Sequence, residues 1–153
     1  MNQLTELYLY FKTLAEQDNQ VNKVTKSAEL NKETLFPLVN VMIESGGFTN
    51  GSTVNFNVEL SCFDIRDINK EVQTDDFWGQ DNEVDNHNLA IAVLNRMWLS
   101  MYRDFEDNNI TASENPTFEL GSLEGAKLLD GARLTFTVEV PNTNINICQS
   151  IPN

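Results

Sequence analysis

Apolar and polar side chains alternate along residues 50–60 and again along 130–140. The apolar positions are Val54, Phe56, Val58 and Leu60 in the first stretch, and Leu134, Phe136, Val138 and Val140 in the second. A period of two marks a strand with one buried face. Each stretch opens on a dipeptide, Asn50-Gly51 or Asp130-Gly131, suited to the two positive-φ positions of a type I′ turn. Both therefore read as the return strand of a β-hairpin, with those eight residues inward. A helical pattern precedes each, so the chain reads as a helix-plus-hairpin unit used twice. The plainer alternative is that any two half-buried strands look alike.

Leu4, Leu7, Tyr8, Phe11, Leu14 and Ala15 recur at three- and four-residue steps and predict an amphipathic helix over 2–17. A short strand is expected around Val21 to Thr25. Leu35 to Phe48 carries the outgoing arm of the first hairpin. Pro37 places the start of that strand beside it, or at an edge, because proline cannot donate to a ladder. Gly46-Gly47 suggests a bulge. The second helix has Val84, Ile91, Trp98 and Phe105 seven apart, with His87, Leu94 and Met101 between them, forming one stripe. Asp85 and Asn86 suit its N-terminal cap, and Asn108, Asn109 and Pro116 end it. Thr117 to Leu123 leads into the last hairpin, with Gly121 and Gly125 as bulge or bend positions, and Ala132 to Val140 returns.

Helices with one apolar stripe and hairpins with one apolar face combine simply. The expected fold is α+β, an antiparallel sheet of two hairpins with both helices on one face. Residues 1–142 form a single domain interrupted by a long loop at 66–83, and 143–153 form a tail. At 153 residues the chain can bury about 70% of its unfolded surface and needs no covalent staple. Its two cysteines, Cys62 and Cys148, fit a reducing compartment, Cys62 falling on an inward strand position. No basic segment followed by an apolar one opens the sequence, and no apolar run could cross a bilayer, so the expectation is a soluble protein made in the cytoplasm.

The formal net charge of −13 opposes nucleic-acid binding, which depends on cations displacing counterions from phosphate. Such a surface either keeps the protein soluble or lets DNA pass without adhering. Glu71, Asp75, Asp76, Asp81, Glu83, Asp85 and His87 gather on the loop and at the helix start, the one place that could hold a metal. The segment from Asp81 begins like a calcium loop, but Asn86 stands where glycine is needed and Ala92 where a bidentate glutamate is needed. A solvated acidic loop is the preferred reading. A metal-dependent hydrolase using Asp81, Glu83, Asp85 and His87 is the weaker one. His87 is the sole histidine, which excludes a two-histidine site within one chain. Cys148 has no base near it in sequence, and Ser45-Gly46-Gly47-Phe48 lacks the lysine of a phosphate loop. No catalytic residue, metal or cofactor is expected.

Two apolar features remain. Phe77 and Trp78 stand side by side in the acidic loop, and either pack back on their own domain or enter a partner. Ile145, Ile147 and Ile151 lie on the tail, and either fold back or dock on a neighbouring copy by strand addition or in a groove. These five are the candidate interface residues.

The N-terminal helix, the stretch Leu35 to Val41, the strand Val54 to Val58, the phrase Asp64-Ile65-Arg66-Asp67, the helix Leu89 to Leu99, and Val140-Pro141-Asn142 followed by Cys148 together carry a likeness. They resemble the tail-completion, or tail-terminator-like, neck proteins of tailed bacteriophages. The likeness spans nearly the whole chain and rests on the order of elements and short phrases. It implies a structural virion protein in the tail or neck, assembled as a homo-oligomeric ring of six or twelve copies. Such a ring adjoins portal, neck or tail proteins and lines or closes the conduit through which the genome passes without specific binding. An acidic module occupying a basic partner, as DNA mimics do, is the alternative.

Overall fold

The computed structural model describes residues 3–26, 36–67, 77, 82–108, 110–113, 115–124 and 128–141. In chain order these form α1 (Gln3–Glu16), β1 (Lys23–Thr25), β2 (Leu38–Thr49), β3 (Thr53–Ile65), α2 (Glu83–Asp107), β4 (Thr111–Ala112), β5 (Thr117–Leu123) and β6 (Leu129–Pro141). The six strands make one sheet in the order β1-β2-β3-β6, with β4 and β5 following one another along the far edge of β6. All pairings are antiparallel except that of β1 with β2.

The first hairpin turns at Asn50 and Gly51, with φ of 50° and 68°, as a type I′ turn demands. Its ladder slips between Ile43 and Ser45, slightly ahead of the expected glycine pair. The second pair of turn residues is a correction. Asp130 and Gly131 are both buried inside β6, and neither has a positive φ. The strand starts at Leu129, and the β5–β6 connection falls before it, in residues 124–128. Gly131 is needed for a different reason: a Cβ there would overlap the Cys62 carbonyl and the Phe63 ring. Gly121 lies in regular register opposite Gly131, and Gly125 is outside the described residues.

The two return strands are direct neighbours at the centre of the sheet. Asn57 and Thr137, equivalent positions of the proposed repeat, face one another there, and the Thr137 hydroxyl donates to Asn57 Oδ1 at 3.1 Å. The two hairpins are thus joined back to back through their most regular strands.

Alternation decides what each face buries. Val39, Val41 and Ile43, Val58, Leu60 and Cys62, and Ala132, Leu134, Phe136, Val138 and Val140 form one core with residues of both helices. Phe136 meets Phe11 of α1 at 5.9 Å and Trp98 of α2 at 5.4 Å, each edge-on, so the two helices share one face. Leu7, Phe11 and Ala15 are buried as expected, whereas Leu4 is exposed on the outer side of α1. Across the sheet a smaller cluster of Phe36, Leu38, Phe63 and Leu129 covers one end of the opposite face.

Candidate assembly interface

α2 begins after Asn82, three residues before the expected cap, and Asn86 is buried within it. Its buried residues are Asn86, Ala90, Val93, Leu94, Met97, Met101 and Phe105. The apolar stripe read from the sequence is rotated from this face by less than one residue step of about 100°. Ala90, Val93 and Met97 are almost fully buried on this face. The larger Ile91 and Trp98 flank it, half-buried, and Val84 is 45% exposed.

That flank faces β5. His87 Nε2 lies 3.3 Å from the Gly121 carbonyl, and Val84 and Ile91 share its side of the helix. Trp98 and Tyr102 continue the row, their rings 6.0 Å apart. On β5, Phe118 pairs with Leu134 and Leu120 with Ala132, which puts both on the helix-bearing side of the sheet. They remain 51% and 50% exposed, because α2 covers β3 and β6 and stops short of this edge. Among the described residues, β5 is paired with β6 alone.

The base of the long loop is built differently. Asp130 is fully buried at the start of β6 and accepts hydrogen bonds from Arg66 Nε at 2.9 Å and Nη2 at 2.6 Å. Ser122 Oγ of β5 donates at 2.6 Å and Asn86 Nδ2 of α2 at 3.3 Å. Asn86 also donates to the Ile65 carbonyl, and the Arg66 backbone N–H to Leu128. One carboxylate therefore ties β3, β5, β6 and α2 together where the loop departs. Burial pushes its pKa up, but the hydrogen bonds from Arg66, Ser122 and Asn86 and the arginine's charge outweigh that, leaving it below the usual carboxylate range.

The same geometry bears on the acid cluster. Glu83, His87 and Asp130 bring ligand atoms within 4.8 Å of one another. The Arg66 guanidinium already stands there, 3.1 Å from Glu83 and 2.6 Å from Asp130, and supplies the cation those carboxylates need. Asp85 points to solvent, while Glu71, Asp75, Asp76 and Asp81 lie outside the described residues. A groove of about 430 Å³ on the opposite face of the sheet is lined by Glu44, Glu59, hydroxyls, amides and the apolar Met42, Val58, Pro116 and Phe136, with no histidine, cysteine or basic group among the described residues. Cys62 is fully buried, and burial pushes its thiol up to about 12, which keeps it protonated and unreactive.

Of the five interface residues expected from sequence, Phe77 is 81% exposed on the loop. Trp78, Ile145, Ile147 and Ile151 lie outside the described residues. Sequence reasoning missed Phe118, Leu120, Asp130 and Arg66. A charged residue flanked by Leu129 and the alternating run of β6 was the available signal for Asp130; reading it as a turn concealed it.

Compared with known proteins, the chain matches no family model, and no curated protein matches it.

Proposed function

We propose that this protein is a structural assembly subunit: a virion component of a tailed bacteriophage that forms a homo-oligomeric ring in the neck or tail. The observation that carries this reading is the row of half-exposed apolar side chains on α2 and β5, beside a strand edge that is unpaired among the described residues. Phe118 and Leu120 are two positions apart on β5, while Val84 and Tyr102 lie at the two ends of the α2 row, about 27 Å apart along the helix; exposed apolar side chains lined up in this way mark interaction sites. Phe77 on the loop and Phe48 beside the first hairpin turn, 81% and 80% exposed, add two aromatic contacts for adjoining rings, portal or tail proteins. The buried charged groups support the same reading, since Arg66 and Asp130 satisfy each other and hold the scaffold. With a net charge of −13, a ring would present DNA with a surface it does not adhere to.

Light scattering coupled to size-exclusion chromatography tests this directly. The expected result is a closed species of six or twelve copies, or assembly on addition of the neighbouring virion proteins. Trp78→Ala should fold normally and assemble less well. A protein that stays monomeric at every concentration, binds no virion neighbour and is absent from purified particles would overturn the reading. A monomer that captures a basic protein would favour the DNA-mimic alternative.

A further inference from the structure

The outer edge of β5, paired among the described residues with β6 alone, calls with the apolar flank of α2 above it for a particular occupant. We infer that it receives residues 143–153 of a second copy as an added β-strand, with Ile145 and Ile147 placed beside Phe118 and Leu120. This rests on the assembly reading above and names the contact that would build it.

Three observations lead there. Ile145 and Ile147 are two positions apart with Asn144 and Asn146 beside them, the alternation of a strand with one covered face. Phe118 and Leu120 have the same spacing on the same side of β5, so one added strand would match both pairs side by side. Residues 142–153 also carry no charged side chain, in a chain of net charge −13. An uncharged segment can approach another anionic copy without repulsion, and β5 itself holds a single charge, Glu119.

Reach decides between the same chain and another. Phe118 stands opposite Leu134, seven residues before Pro141, and Leu120 opposite Ala132, nine before it. Along a strand these are about 24 and 31 Å at about 3.4 Å per residue. Ile145 and Ile147 are four and six residues beyond Pro141, which allows at most about 14 and 21 Å even without the reversal they would need. The added strand would also sit about 10 Å sideways from β6, two strand spacings away. Their own β5 is out of range, and a neighbour's is not. A head-to-tail contact of this type has different surfaces on its two sides, and such contacts close into rings when the rotation permits.

Two full-length variants and one peptide test it. Ile145→Asp/Ile147→Asp removes the donor, and Phe118→Asp/Leu120→Asp removes the acceptor on exposed positions; circular dichroism checks that each folds, with Leu120→Lys alone as a milder acceptor variant. Each variant alone should run as a monomer. A synthetic peptide of residues 141–153, titrated into the donor-deficient chain up to about 1 mM, should bind saturably by tryptophan fluorescence. Adding the acceptor substitutions to that chain should weaken peptide binding at least about tenfold. If wild type assembles and the acceptor variant assembles equally well, the site is wrong while the assembly reading stands. If wild type is monomeric, the peptide titration still decides: saturable, acceptor-dependent binding upholds the site, and its absence overturns it.

Discussion

Asp130→Ala removes the carboxylate at the centre of the scaffold. Two hydrogen bonds from Arg66, one from Ser122 and one from Asn86 lose their acceptor at once. Arg66, its side chain 16% exposed, keeps Glu83 at 3.1 Å as its carboxylate partner among the described residues. Breaking one side of a buried pair costs about 3–5 kcal/mol, and partial compensation by the more exposed Glu83 puts the expected loss near the lower end, about 3 kcal/mol. Asp18 supplies the contrast: its own side chain is 7% exposed, but its partner Arg96 is 48% exposed and opens the pair to solvent. That pair falls in the solvent-screened regime, and Asp18→Ala should cost about 1 kcal/mol or less. The Asp130 deficit should also depend on pH. Its folded pKa is depressed, so the unfolded chain binds more protons in acid and the stabilisation grows with pH. It is complete above the ordinary carboxylate range, about pH 4, and is lost as pH falls through the lower folded value. Urea unfolding followed by circular dichroism, near neutrality and stepwise into acid, reads both effects. A loss no larger than that of Asp18→Ala, or one that does not shrink in acid, would refute the assignment of Asp130 as the buried anchor.

Gly131→Ala should destabilise by at least about 1–3 kcal/mol, since the added methyl meets the neighbouring strand's backbone at Cys62 and the Phe63 ring; an unchanged urea midpoint would contradict that packing. Phe11→Ala, at the meeting point of α1 with Phe105 and Phe136, should cost about 3–5 kcal/mol by the same assay, and a loss below 1 kcal/mol would show that α1 is not part of the core. Cys62 should resist aromatic disulfide reagents in the native protein and react only on unfolding, as mass mapping of the labelled peptide would reveal.

Much of the scaffold was legible because it is local. The alternation of Val54 to Leu60 and of Leu134 to Val140 named the buried faces of both central strands, and Asn50-Gly51 named a turn whose φ values only such residues take readily. Thr117 to Leu123 was bounded as it stands, and both helices lie within two residues of their expected limits at most ends. The interface was less legible. Phe118 and Leu120 look like ordinary inward strand residues, and nothing in their neighbourhood along the chain says that α2 stops short of them.

Periodicity along the chain settled both helices and the four hairpin strands and which side of each is apolar, but not β4, since pleat and helical pitch depend on near neighbours. The tertiary structure decided the rest, because partners distant in sequence set it. Arg66, sixty-four residues from Asp130, turns an apparent turn residue into a buried anchor. The junction of β3 with β6 fixes where α2 can lie, and so leaves the flank of Val84, Ile91 and Trp98 beside an edge that is unpaired among the described residues. Burial is a property of what else arrives at the same place, and no local pattern encodes that.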